Sequence, residues 1–183
     1  MVLERHRFTL EEYHQMNFFS EDIRVELMDG EIIHRSPIGR FHTACMKRLI
    51  FLLTPKLVKR AIVSAQDPLI VLSSEPIPDV VLLNYRDDFY GGKAASAEDA
   101  LLVIEVSDST LDYDQKIKVP KYAKAGIPEV WVIDLNESLI WVYRNPSDKG
   151  YLEVKAYKRG EAVTLLAFSD ITLTVNDILG FQI

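Results

Sequence analysis

The sequence predicts a mixed α/β fold, a central sheet with helices packed against it. Three observations lead there. Residues 80–83 and 101–106 are short runs that are apolar almost throughout, as strands buried on both faces are. Residues 41–53 place apolar side chains at 41, 45, 49 and 52, a helical stripe. The chain has 183 residues, 48% apolar and 26% charged, so it matches an ordinary globular domain. At that size about 70% of the unfolded surface can be buried. No repeat or linker divides the chain, and residues 1–183 are expected to form one domain.

Thr9-Leu-Glu-Glu12 is a capping box, so a short helix starts after Thr9. Residues 23–35 read as two strands around Asp29-Gly30, a favoured two-residue turn because Gly accepts positive φ. That turn sets Glu26 opposite Ile33. Pro55 ends or kinks the helix of residues 41–53. Residues 61–65, 69–72 and 80–83 are expected strands, and residues 85–99 an expected loop. After the strand at 101–106 comes a helical segment closed by Gly126, a C′ residue. Pro120 either kinks that helix or begins it. Residues 129–135 and 139–144 form a hairpin through residues 136–138. Residues 152–158 and 162–166 add β structure, and residues 176–179 a last short helix.

Charge and composition exclude several functions. The single cysteine, Cys45, permits no intrachain disulfide, and it lies on the apolar stripe as a core residue. The first residues lack an apolar signal region, and no apolar run approaches the ~18 residues of a membrane span. A cytoplasmic protein is expected. There is no Gly-rich phosphate loop, no Gly-x-Ser-x-Gly elbow and no second His/Cys pair to complete a zinc site with His42 and Cys45. The net charge of −6 is unevenly spread. Residues 32–66 hold seven bases (Arg35, Arg40, Lys47, Arg48, Lys56, Lys59, Arg60) and no acid. Residues 67–114 hold eleven acids and two bases. One segment suits anions; the next could hold a cation.

Two acids sit in otherwise apolar strands: Asp79 before Val80-Val-Leu-Leu83, and Glu105 within Leu101-Leu-Val-Ile-Glu-Val106. A buried carboxylate is costly unless paired or bound to metal. Side by side, these two repel, and a hard divalent cation removes that cost. Residue 107, on the same strand face as 105, is Ser, so a cationic partner comes from elsewhere. Lys116 and Lys118 are the nearest supply. They point about 200° apart on a helix, and periodicity alone leaves the choice between them open. Ile117 is expected to turn to the core, near Tyr122. Glu26 is divided between a solvent-facing and a site reading. Tyr122 and Trp131 read as packing.

Pro78-Asp79 followed by Glu105-Val-Ser107 resembles the PD-(D/E)XK nuclease superfamily, and more narrowly the Uma-type restriction endonuclease family, a bacterial group. Further matching stretches are Val25-Glu-Leu-Met-Asp-Gly-Glu-Ile32, His42, Ile77-Pro-Asp-Val-Val81 and Ile104-Glu-Val-Ser-Asp-Ser-Thr110. Asp114-Gln-Lys-Ile-Lys-Val-Pro-Lys-Tyr122, Ala125-Gly-Ile-Pro-Glu-Val-Trp-Val-Ile-Asp134 and Phe168-Ser-Asp-Ile-Thr-Leu-Thr-Val175 complete them. The resemblance implies a restriction-endonuclease-like mixed sheet flanked by helices. It implies Mg²⁺ or Mn²⁺ held by Asp79 and Glu105, with Glu26 as the upstream acid. Ser107 departs from the wider superfamily, which has lysine there; the narrower family places its lysine four residues before the tyrosine, which selects Lys118. The expected function is metal-dependent DNA endonuclease, with Arg40, His42, Lys47 and Arg48 on the nucleic acid and a homodimer serving two strands. The alternative is a nuclease-fold binding or assembly module without catalysis.

Overall fold

The computed structural model describes residues 6–16, 24–35 and 37–180. Thr9 caps α1 (Leu10–His14) through the expected reciprocal bonds with Glu12. Strands β1 (Val25–Met28) and β2 (Glu31–His34) pair antiparallel with Glu26 opposite Ile33. The turn needs Gly30, at φ +78°, where an added Cβ would lie 2.6 Å from the Arg7 Cβ. The long helix α2 (Arg40–Leu53) follows, then β3 (Ala61–Ser64), β4 (Val80–Asn84) and β5 (Ala100–Ser107). A crossover runs through α3 (Leu111–Tyr113), a π turn at Asp114–Lys118 and α4 (Val119–Lys124). It leads to β6 (Glu129–Asp134), β7 (Leu139–Ser147) and β8 (Gly150–Lys158). A two-stranded ribbon of β9 (Ala162–Thr164) and β10 (Thr172–Thr174), then α5 (Val175–Leu179), completes the described chain.

The central sheet has six strands in the order β3-β4-β5-β6-β7-β8. All pairs are antiparallel except β5 with β6, because the helical crossover returns the chain in the same direction. Strand alternation builds a core on each face. Val80, Leu82, Leu102, Ile104 and Val106 pack toward α2 and α5. Val81, Leu83, Val103, Val130 and Val132 pack toward α4. Glu105 shares the parity of Val103, so it points to the α4 side. No helix among the described residues is long and apolar enough to cross a membrane.

The structure corrects three local expectations and settles a fourth. Residues 69–72 form no strand; Ile70 and Val71 make isolated bridges, and Val71 and Ser74 close a tight turn on each other at 2.9 Å. Leu72 adopts φ +56° there, and prolines at 68, 76 and 78 remove ladder donors nearby. The buried stripe of α2 is Cys45, Met46, Leu49 and Leu53, while Phe41 is exposed beneath the Arg40 guanidinium. Of the two expectations for Pro120, the structure takes the second: it sits in the first turn of α4, where the preceding π turn leads straight into it. That turn alters the rotation per residue, so Ile117 is exposed and not directed to the core. Cys45 is a core residue, and burial pushes its thiol up to about 12.

Candidate active site

Asp79 is the last residue before β4, at the point where α2, the β1–β2 hairpin and the start of the crossover meet. The register Val80 opposite Ile104 brings it beside Glu105, and the Val106 N–H donates to its Oδ2 at 2.7 Å. The same oxygen accepts from His42 Nε2 at 3.0 Å, from the first turn of α2. Its Oδ1 accepts from Gln66 Nε2 and, at 3.5 Å, from Arg35 Nη2. His42 Nδ1 is buried and has no partner among the described residues.

Glu105 is held from the crossover. Tyr122 Oη donates to its Oε1 at 2.6 Å, and Lys118 Nζ reaches the same oxygen at 3.3 Å. Oε2 accepts no hydrogen bond among the described residues. Lys118 also lies 3.2 Å from Glu26 Oε2 and 4.0 Å from Asp114 Oδ1. The π turn sets this geometry: Asp114 and Lys118 face inward while Lys116 points to solvent and pairs with Asp112 at 2.8 Å. Glu26 is buried, not solvent-facing. Its Oε2 accepts the Ile77 N–H, and its Oε1 accepts the Tyr113 hydroxyl, each at 3.2 Å. The hairpin that carries it is pinned by backbone bonds between Leu27 and Glu75, and by Lys121 of α4 on Asp29 at the turn. Asp114 accepts from Ser107 Oγ at 2.8 Å and Thr110 Oγ1 at 2.7 Å.

Four buried carboxylates (Glu26, Asp79, Glu105, Asp114) thus face two permanent cations, Lys118 and Arg35. Fully ionised, they leave two negative charges uncompensated before any charge on His42. Burial pushes the Glu105 carboxyl up to about 8, against the pull of Lys118 and with the push of Asp114 and Asp79. Burial also raises Asp114. Burial alone would lower Lys118, but Glu105, Glu26 and Asp114 outweigh it and hold the ammonium well above its ordinary range.

A proton on Glu105 therefore stabilises the metal-free protein. Its folded pKa lies above the ordinary 4.5, so the native state binds the proton more tightly than the unfolded chain does. That stabilisation is complete below 4.5 and is lost as pH rises through 8. In chelator, the melting temperature should fall across that window, and Glu105→Gln should flatten the fall. An equal slope in both proteins would remove Glu105 as the proton holder.

The pocket over these groups opens between Pro37–Gly39, the α2 start and residues 108–110, with a volume of about 120 Å³. A wider groove of about 780 Å³ lies next to it and shares Asp108. Arg40, Phe41, Arg48 and Arg159 line this groove.

The expected residues fall into three groups. Asp79, Glu105, Glu26, Lys118 and His42 converge on one pocket. Arg40 and Lys47 lie exposed on α2 outside it, and Arg48 donates to the Leu179 carbonyl at 3.0 Å. The basic run is not one face: Arg60 pairs with Asp170, and Arg35 enters the pocket. Sequence reasoning missed Arg35, Gln66, Tyr113 and Asp114 as site members, and read Tyr122 as packing alone. Asp114 and Tyr122 bound the very stretch that carries Lys118; a hydroxyl or carboxyl four residues to either side of a buried lysine was the available signal.

The donor set suits a hard divalent cation. Fully ionised, its four carboxylates exceed Lys118 and Arg35 by two charges. Among the described residues no three His, Cys, Asp or Glu side chains form a group that could hold one ion, and Asp79 would have to exchange one of its donors to take part in holding one.

A six-stranded mixed sheet with helices on both faces sets Asp79 and Glu105 at adjacent strands. The family model described as "Putative restriction endonuclease" (Uma2) matches residues 10–176, and the chain belongs to that family. Among solved structures, one from Anabaena variabilis, described as "a putative nuclease belonging to DUF820", shares the fold. It has a TM-score of 0.73 at 17% identity, covering 94% of this chain and 97% of that one. No curated protein matches the sequence.

Proposed function

We propose that this chain is a metal-dependent endodeoxyribonuclease using Mg²⁺ or Mn²⁺. The observation that carries the reading is the gathering of four buried carboxylates around two cations in a pocket open to solvent on one side. Asp79 and Glu105 would hold the ion. When bound, a metal of this kind polarises the phosphate and lowers the pKa of its water. The chain's own residues do the rest. Glu26 fixes the Lys118 ammonium beside Glu105, where it can donate to charge developing on the phosphate. Tyr122 and Tyr113 hydroxyls orient Glu105 and Glu26. Arg35 and His42 line the opposite wall and neutralise phosphate oxygens. The groove lined by Arg40, Arg48 and Arg159 gives a neighbouring strand segment a basic path, a contribution that weakens with salt.

The test is nicking and linearisation of supercoiled plasmid in Mg²⁺ or Mn²⁺, beside Asp79→Asn and a chelator control. Metal-dependent cleavage should appear in the wild type and fall to background in the variant. Equal cleavage by the two proteins, or none on plasmid, linear and branched DNA, would end this reading.

One observation favours a second reading, a binding or assembly module without catalysis. Both Asp79 oxygens already accept two donors each. Calorimetric titration separates the two. Mn²⁺ binding that vanishes in Glu105→Gln supports a working metal site; no binding at millimolar Mn²⁺ supports the module.

A further inference from the structure

The long strand β8 is the edge of the central sheet, and its outer side makes no backbone hydrogen bond over residues 150–157 among the described residues. A nine-residue open edge is a template for another strand. Of the devices that blunt native edges, β8 carries lysines, Lys155 and Lys158, but neither short length, nor proline, nor inward charge. Instead it exposes Leu152 at 73% and Val154 at 52%. The opposite edge, β3, is four residues long.

We infer that β8 pairs antiparallel with the β8 of a second copy of this chain, about a two-fold axis at Val154. The sequence of the strand supplies the argument. Centred on Val154, Leu152 meets Ala156 of the other copy and Glu153 meets Lys155. The first pair joins apolar side chains and the second opposite charges, which is what stabilises neighbouring strands. Every interface of this symmetry is self-complementary, so the Glu153–Lys155 pair forms twice.

Other registers fail. Paired residues in a sheet lie on the same face, so the register can shift only by whole two-residue steps of the pairing. Moving the axis one residue to Glu153 sets that carboxylate against its own copy. Moving it to Lys155 sets two ammonium groups together. Moving it further, to Leu152 or Ala156, separates Glu153 from Lys155 and shortens the ladder. The charged neighbours are compatible with the central register. Glu153 accepts from Asn145 Nδ2 at 2.6 Å through one oxygen, leaving the other for Lys155. Lys155 lies over the Tyr157 ring at 4.3 Å, on the same strand face as the position it would reach. The result is one continuous twelve-stranded sheet, two copies of the six-stranded one. This inference does not depend on the nuclease reading.

Sedimentation velocity on the full chain, over a concentration series, gives the first test. The wild type should dimerise. Glu153→Lys and Lys155→Glu, each placing like charges opposite one another twice, should weaken the dimer roughly tenfold or more. The double variant Glu153→Lys/Lys155→Glu should restore it. Thermal melts of each variant check that the edge substitutions leave the protomer folded. The second test is covalent. Residues facing each other in an antiparallel pair have Cα atoms about 4.5–5.5 Å apart, inside the disulfide range. Val154→Cys should therefore give an oxidised covalent dimer, and Leu152→Cys should not. A wild type that stays monomeric, single variants that dimerise as the wild type does, a double variant that does not recover, or cross-linking at 152 in place of 154 would each overturn the inference.

Discussion

Lys118→Met should slow metal-dependent cleavage by roughly 10²–10³-fold, the usual loss when one donor to developing charge is removed. Lys116→Met should cleave like the wild type, because Lys116 is exposed and paired with Asp112. Methionine keeps most of the volume of lysine, so the contrast isolates the charge. The surroundings of Lys118 add two further signatures. Its ammonium stands against Glu105, Glu26 and Asp114, and breaking a buried ion cluster by removing one partner typically costs about 3–5 kcal/mol. The metal-free variant should therefore melt lower. Metal affinity should stay unchanged or tighten, since a positive charge beside the ligand carboxylates has gone. Slower cleavage with weakened metal binding would mean that Lys118 only shapes the site. Reversed results for the two lysines would move the donor to Lys116. Wild-type rates in both would remove a lysine from the chemistry.

Arg144→Met should produce the largest loss of stability in the sheet. Glu129 opens β6 and is fully buried. Its Oε1 accepts from Arg144 Nε at 2.9 Å, from Arg144 Nη2 at 2.5 Å and from Trp131 Nε1 at 3.0 Å. Its Oε2 accepts the Leu166 N–H at 2.8 Å. Arg144 stands directly across the β6–β7 ladder and is the carboxylate's one cationic partner among the described residues. Without it, an ionised group is left in a dry core at a cost of about 3–5 kcal/mol. For a chain of this length that corresponds to about 6–20 °C in melting temperature. Glu129→Gln/Arg144→Met should recover much of it, because the amide keeps hydrogen bonds without the charge. A single variant that melts within about 2 °C of the wild type would show that the pair contributes little.

Several parts of the fold were legible because local chemistry dictates them. The Thr9 capping box, the Asp29-Gly30 turn with its register, the Gly126 stop and the apolar strands around Asp79 and Glu105 each depend on residues within a few positions of one another. The α2 stripe was read one position off at its C-terminal end and too early at its start, because Phe41 looks like core to periodicity and is exposed against Arg40 instead. Residues 69–72 read as a strand from their side chains, whereas the flanking prolines and the tight turn at Val71 decided the backbone.

By itself the sequence determined that Asp79 and Glu105 are buried and which elements carry them: an ionisable residue inside an apolar strand has few places to go. It also placed both candidate lysines in the crossover, but could not choose between them by periodicity, and left Glu26 divided between solvent and site. Only the tertiary structure decided those points. Tyr113 meets Glu26 across 87 residues of chain, and Lys118 meets Glu105 across 13. The first contact depends on where the β1–β2 hairpin docks, and the second on a π turn that rotates Lys118 inward and Ile117 out. Neither leaves a local pattern, because each is set by how whole layers pack. The same holds for His42, Gln66 and Arg35, which reach Asp79 only because α2, the loop after β3 and the end of β2 converge where β4 begins.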